Sequence, residues 1–512
     1  MIAHLGDADL DRFRGIIARR LGLQFDDAKL GLLADVLHRR VEASGQSPDA
    51  YLWHLESARP ASGEPALLAR DLTVTETYFF RNREQLRALT ESALPSLASP
   101  PTGGRPLRIL SAGCASGEEA YSLAIALREA TPELARGASI QAVDVNPAAL
   151  EQARRARYSA WSLRDTPAET RTRWFRAHGR EFLLDAAVRE AVVFEERNLI
   201  DEHPDFWQPN AFDVVFCRNV LMYFVPESAQ ALVGRIARAL VPGGYLFLGH
   251  AETLRGLSQD FHLRHTHSTF YYQLKTAAER SAGPEAATAA LSTLPSPAPL
   301  PALVGESESW VDTIRRAADR IQALADGPSP PDRSGHSAGV EAAKPAWDLS
   351  GSRELLRQER FGAALELLQA LPPESAGDPE VLLLRAALLA HSGQLARAEA
   401  LSRELIERDE LNSGGHYVLA LCREGAGDRA AAVEHDRIAS YLDPSFAMPR
   451  LHLGLLARRD GDPAAASRAF EEALALLQKE DASRMLLFGG GFSRGALIAL
   501  CRAQIAACGG RP

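Results

Sequence analysis

Cysteine is scarce in this chain. There are five in 512 residues (Cys114, Cys217, Cys422, Cys501 and Cys508), and none forms a CxxC pair. That excludes a disulfide framework and a cysteine-rich zinc site, and it fits a reducing cytoplasm, where the protein is expected to work. No metal site is expected. No uncharged apolar run is long enough to cross a bilayer, so no membrane insertion is expected. The residues from Met1 onward are polar and charged, so no signal peptide is expected. Positive charge is not in excess: 57 Lys and Arg stand against 66 Asp and Glu, a net charge of −9. This balance argues against a nucleic-acid-wrapping protein, and no nucleic-acid partner is expected. What is abundant is ordinary for a globular chain, with 46% hydrophobic and 24% charged residues. The length calls for roughly two to four domains.

The most informative stretch is Leu107 to Leu127, LRILSAGCASGEEAYSLAIAL. Leu107 to Leu110 are an apolar run suited to a buried strand. Ser111 to Ser116 are small, and Gly113 and Gly117 stand four apart. Ala120 to Leu127 carry apolar residues at helical spacing. The pattern predicts strand, tight glycine turn, helix. Glycine permits φ > 0 and close approach of backbone to a ligand, and a helix start offers free N–H groups. Glu118 and Glu119 suit the first turn of that helix. The middle position is Ala115, so the three-glycine dinucleotide fingerprint is absent. The next strand, Ile140 to Val143, ends at Asp144. An acid there has two readings: an acceptor for ribose hydroxyls, or a cap for the helix starting near Pro147. Position and residue type favour ribose.

Residues 1–95 read as an N-terminal helical domain, with Phe13, Ile16, Ile17 and Leu33, Val36, Leu37 at helical spacing. Ser47-Pro48 has the form of a helix start. Near the end of this region comes DLTVTETYFFRN, Asp71 to Asn82. Its adjacent aromatics Tyr78, Phe79 and Phe80 do not share one helical face. They suit a segment lining a pocket at a domain edge, with a plain core helix as the alternative. Residues 96–275 alternate strand-like and helix-like patterns, as a doubly wound α/β domain does. Residues 158 to 190 interrupt that alternation and read as irregular. Residues 276–345 are rich in Ala, Pro, Ser and Gly, a composition expected of a disordered linker, with one candidate helix at Val311 to Leu324.

The last third repeats. Gly393, Gly427 and Gly461 are spaced by 34 residues, and Ala398, Ala432 and Ala466 keep that spacing. Ala386, Ala420 and Gly454 lie seven before each glycine. A 34-residue period with small residues at helix crossings is the tetratricopeptide signature, and Ala364 extends the frame one unit earlier. Four units are expected over 346–480, followed by a capping helix and tail at 481–512. Such arrays bind a protein or peptide partner in a concave groove.

Six pieces then agree with one family: TETYFFRN, SAGCASGEEAYSLA, AVDVNPAAL, FEERNL, VVFCRNVLMYF and PGGYLFLGHAE, in one order. Over about residues 5 to 275 the chain resembles the chemoreceptor glutamate O-methyltransferases of the CheR type. The resemblance implies an α/β protein with an N-terminal helical domain and a Rossmann-like S-adenosylmethionine methyltransferase domain. The linker and the all-α tetratricopeptide repeats would follow. It implies S-adenosyl-L-methionine as cofactor, S-adenosyl-L-homocysteine as product, and γ-methyl esters on glutamates of the cytoplasmic helices of methyl-accepting chemoreceptors. Carried over onto matching positions, the cofactor contacts are Thr75, Thr77, Arg81, Glu118, Asp144, Asn198, Leu199, Arg218 and Asn219. Arg81 and Tyr223 are implied as catalytic positioning residues, with Tyr223 facing the methyl group. The family's small β-subdomain, which docks a receptor tail in some members, would fall near 160–190 around Gly179. The competing reading is a catalytically silent methyltransferase fold acting as scaffold or binding module in a chemosensory-like pathway.

Overall fold

The computed structural model describes residues 6–57, 63–97, 105–250, 252–281, 348–357, 361–490 and 492–508. The chain divides into two compact units between Ser281 and Ala282. The candidate helix at Val311 to Leu324 and nearly all of the expected linker lie outside the described residues. The linker's first residues are described, and there Ala277–Ser281 is helical.

The first unit is built on strands β1 (Arg108–Ala112), β2 (Ser139–Asp144), β3 (Arg157–Tyr158), β4 (Phe175–His178), β5 (Glu181–Leu184), β6 (Val192–Glu196), β7 (Phe212–Cys217), β8 (Leu240–Leu248), β9 (Phe261–Thr266) and β10 (Thr269–Leu274). Seven of them form one sheet in the order β6-β2-β1-β7-β8-β10-β9. The first five in that order are parallel, and β10 and β9 close the edge antiparallel. Central β7 is buried at every position, as a strand covered on both faces must be. Strand order reverses between β1 and β7, which opens a crevice beyond their carboxyl ends.

Residues 158 to 190 are more ordered than their irregular pattern suggests. A three-stranded antiparallel sheet, β3-β5-β4, forms there, with Gly179 at φ 65° turning β4 into β5. Its alternation is short, and the helix Ala168–Trp174 interrupts it, so the period was hard to read.

Helices Asp7–Leu21, Leu30–Ser44, Pro48–Ser57 and Glu64–Leu72 enclose a separate core of Phe13, Ile16, Leu33, Leu37, Leu52 and their neighbours. The aromatic segment does not belong to it. Phe79, Phe80, Leu86, Leu89 and Leu94 pack into the core of the sheet. Residues 74–78 are not helical, and Phe80 and Asn82 take left-handed backbone at φ 60° and 57°. The segment is pocket-lining on one side and core on the other. Phe79 meets Tyr158 and Phe175 edge-on at 4.7 and 4.9 Å, which ties the main sheet to the small one.

The second unit stacks helical hairpins: Ser350–Arg357 with Phe361–Gln369, Pro379–His391 with Leu395–Arg408, Ser413–Gly425 with Arg429–Leu442, and Ala447–Arg459 with Pro463–Leu477. Gly393, Gly427 and Gly461 make the turns at φ 72°, 83° and 77°. Ala364, Ala398, Ala432 and Ala466 are fully buried where helices cross. This architecture is consistent with a tetratricopeptide array. Two helices follow, Ala482–Phe488 and Arg494–Ala507, where one capping helix was expected. Among the described residues, no helix is long and apolar enough to cross a membrane.

Candidate active site

Four loops meet at the carboxyl ends of the parallel strands. The turn after β1 carries Gly113 and Gly117, both left-handed at φ 77° and 91°. A Cβ on Gly113 would run into the Val220 side chain, and one on Gly117 would come within 2.9 Å of Ala153. Only glycine fits either place. Ala115 between them is also left-handed, at φ 47°, and its N–H donates to Asp144 Oδ2 at 2.8 Å. The same carboxylate accepts from Asn146 N–H at 2.8 Å. Asp144 therefore braces the glycine turn. The helix at Pro147 is capped by Asn146 instead, whose side chain accepts from Ala148 and Ala149. Burial raises the Asp144 pKa, while its backbone hydrogen bonds oppose that rise.

Two adjoining cavities open above these loops. The first is lined by Asp144, Val145, Asn198, Leu199 and Phe224, among others, and by Leu21, Leu23 and Phe25 from the N-terminal helices. The second is lined by Thr77, Arg81, Cys114, Glu119, Arg218 and His250. Gly113, Asn219, Tyr223 and Val74 line both, so they mark the passage between them. The N-terminal helices reach the site through backbone: Gln24 N–H donates to Tyr223 O at 2.7 Å, and Val225 N–H to Gly22 O at 2.8 Å. Leu23 and Phe224 form an antiparallel bridge between these bonds.

The structure brings Thr77, Arg81, Asp144, Asn198, Leu199, Arg218, Asn219 and Tyr223 to this double cleft. Two expected residues are not in it. Thr75 is exposed and lines neither cavity. Glu118 turns under the glycine loop, where it accepts from Ser116 Oγ at 2.7 Å, and burial pushes its carboxyl up to about 7. The acid facing the cleft is its neighbour Glu119, which accepts from Ser111 Oγ at 2.8 Å and pairs with Arg218 Nη1 at 3.3 Å. One residue along a helix is a rotation of about 100°, which separates the two roles. Asn198 contributes position more than its amide, because Nδ2 donates to Arg20 O at 2.8 Å.

Sequence reasoning missed Glu252. Its carboxylate accepts from the N–H groups of Asn219, Val220, Met222 and Gly249 at 2.6, 2.8, 3.3 and 2.8 Å. One side chain thereby fixes the whole loop that presents Asn219 and Tyr223. Glu252 stood in the GHAE piece, but a contact over more than thirty residues leaves no local pattern.

Arg218 decides what the cleft can hold. It is 7% exposed, yet its Nε and Nη2 have no hydrogen-bond partner among the described residues. Burial lowers its pKa and Glu119 opposes that. Orphaned guanidinium donors in a cleft call for an anionic ligand group. A cofactor with an amino-acid end at the second cavity and a nucleoside end beside Asp144 fits these donors and acceptors.

The comparisons with known proteins agree. The family description "CheR methyltransferase, SAM binding domain" matches residues 75–270. "Chemotaxis protein methyltransferase 2" of Vibrio cholerae serotype O1 is 36% identical over 273 residues, 52% of this chain and 93% of that protein. This chain belongs to the CheR methyltransferase family. "Probable biofilm formation methyltransferase WspC" of Pseudomonas putida is 29% identical over 475 residues, covering 90% of this chain and 97% of that protein. The protein of that name from Pseudomonas aeruginosa is 28% identical over 92% of this chain. The likeness to the latter two thus extends through the C-terminal unit. The cofactor of this CheR domain is S-adenosylmethionine, and the protein is a methyltransferase of the chemotaxis type.

Proposed function

We propose that the protein methylates glutamate side chains on the cytoplasmic helices of chemoreceptors, forming γ-methyl esters, and that its repeats recruit a partner protein. The observation that supports this reading is that Arg81 and Arg218 line the second cavity together with Tyr223, which also lines the first. Bound S-adenosylmethionine supplies an electrophilic methyl sulfonium. The chain's own residues then have a short task. A glutamate has a pKa of about 4.3 and is ionised at neutral pH, so no base is needed. The site must align a carboxylate and exclude water from it. Arg81, on the segment 74–82, is placed to draw an incoming carboxylate toward the cleft. Asp144 offers its remaining lone pairs to ribose hydroxyls, the Asn198-Leu199 loop flanks the adenine, and Arg218 takes the cofactor's carboxylate. Tyr223, held by the backbone bond to Gln24, orients the reacting groups.

The names of the two full-length relatives support placing the output of this chemosensory pathway in biofilm formation. The test is transfer of labelled methyl groups from S-adenosylmethionine to receptor-containing membranes. Label that is released as methanol by mild base, and that disappears when the receptor glutamates are changed to alanine, supports the reading. No incorporation with a folded, cofactor-binding protein returns the scaffold alternative.

A further inference from the structure

The repeat array carries a piece of its own chain on a binding face. After the last hairpin the chain does not pass directly to the terminal helix. It makes the short helix Ala482–Phe488, which packs across Ser350–Arg357 and Pro379–His391, the first helices of two hairpins. In arrays of this kind the first helices line the concave surface. The short helix ends there in an aromatic anchor. Phe488 is 4% exposed, lies 5.0 Å from the Phe446 ring, and meets Tyr417 edge-on at 5.8 Å. Its place depends on a glycine: a Cβ on Gly414 would stand 2.9 Å from Phe488 Cζ. Met485 is buried one turn earlier on the same side. Arg484 lies 4.4 Å over the Phe446 ring and pairs with Asp443 at 3.0 Å.

The fit is incomplete. A cavity remains beside the segment, between Leu356, Leu383 and Leu384 of the array and Leu486 and Leu487 of the short helix. Both of these last leucines are only half-buried. Arg353 and Glu380 of the array also line this cavity, so the face offers room beside the seven-residue helix with both apolar and charged lining.

We propose that residues 481–490 are a strap occupying a peptide-binding groove, and that the groove's external ligand is an amphipathic helical segment of a partner protein. That segment presents an aromatic residue to the Gly414–Tyr417–Phe446 pocket, an apolar residue three positions before it, and an arginine or lysine four before it to meet Asp443. The cavity beside Leu383 and Leu384, which Leu486 and Leu487 leave partly open, takes bulkier side chains of that segment, with Arg353 and Glu380 at its side. This inference rests on the reading of the repeats as a recruiting surface, and it names the recruiting site and the chemistry of its ligand.

The experiment uses the full chain and a fluorescent synthetic peptide of residues 480–490. In the wild-type protein the tethered strap competes at high effective concentration. Phe488→Ala releases it, so this variant should bind the peptide at least about tenfold more tightly than wild type. The same peptide with its phenylalanine changed to alanine should not bind. Equal binding by both proteins, or no binding by a fully helical Phe488→Ala chain, overturns the proposal. If that variant misfolds, Arg484→Glu, which reverses the pair with Asp443, replaces it under the same criteria. Methyl transfer by an enzyme lacking the repeats is measured separately. Slower transfer without peptide capture sinks the strap and leaves recruitment standing. Capture without any effect of truncation upholds the strap and sinks recruitment.

Discussion

Asp144, Tyr223 and Glu119 carry distinct burdens in the cleft and Glu118 lies beneath it, and each can be isolated. Asp144 braces the glycine turn through Ala115 and lines the first cavity. Asp144→Ala should cost roughly 1.5–3 kcal/mol of cofactor binding, on the order of tenfold to a hundredfold in affinity. Calorimetric titration with S-adenosylhomocysteine reads this directly, and unchanged affinity would remove Asp144 from the site. Tyr223 touches both cavities, and its hydroxyl makes no hydrogen bond among the described residues. Tyr223→Phe should lower turnover while leaving affinity for S-adenosylhomocysteine within about twofold, the mark of a contact made in the transition state. The paired acids separate by pH. Folding favours protonated Glu118, because burial raises it from 4.5 to about 7. Between those values the native state holds more proton than the unfolded chain, so stability falls as pH rises through that window. The penalty is complete above it and amounts to at most about 3 kcal/mol. The stability gained by Glu118→Gln should therefore be larger at pH 8 than at pH 5, as read from denaturant midpoints of the first unit. An equal gain at both pH values would rule out titration of Glu118. Its cofactor affinity should stay at the wild-type level, whereas Glu119→Gln should weaken binding.

At the scale of elements, the cleft exists because the N-terminal helices are clipped to the loop after β7. Gly22 ends the first helix at φ 71°, and a Cβ there would stand 2.6 Å from Ile200 Cγ2. Gly22→Ala should push this helix layer off the loop although Gly22 touches no ligand. We expect a loss of about 1–3 kcal/mol in stability and a several-fold loss in affinity for S-adenosylhomocysteine. Full affinity in the variant would show that the helices do not close the cleft. None of this was legible in the sequence, where Gly22 is one of 38 glycines. What could be read were local periods. The strand–turn–helix around Gly113 and the acid that ends β2 carry their signal within a few tens of residues. Glu252 reaching back to Asn219, and the helix phase that gives Glu119 rather than Glu118 to the cleft, depend on tertiary placement. The strap is a further case. Residues 482–488 read simply as helix, and only packing shows that they lie across other helices instead of extending the stack.

For the whole molecule, each of three apolar clusters among the described residues falls on one side of the division at Ser281. Buried residues from Leu349 to Ile505 form one apolar cluster, while the sheet and the N-terminal helices hold two others. The 34-residue period made the second unit legible, because each hairpin buries its small residues against its neighbours and repeats the solution. Every residue lining the two cleft cavities lies within the first 281 residues. The 36% identical relative covers 52% of this chain with 93% of its own length, and the family match itself lies at residues 75–270. Residues 1–281 alone should therefore fold and bind S-adenosylhomocysteine within about twofold of the full chain. In the proposed function the repeats act in a different way, by raising the local concentration of a substrate bound to their partner. The truncated enzyme should keep its rate on isolated receptor fragments at saturation. It should be slower, by tenfold or more, on dilute receptors in the presence of the partner. Calorimetry and methyl-transfer rates measured on the same two proteins separate the effects. If removing the second unit abolishes cofactor binding, the two units act as one cooperative whole and the tethering account fails.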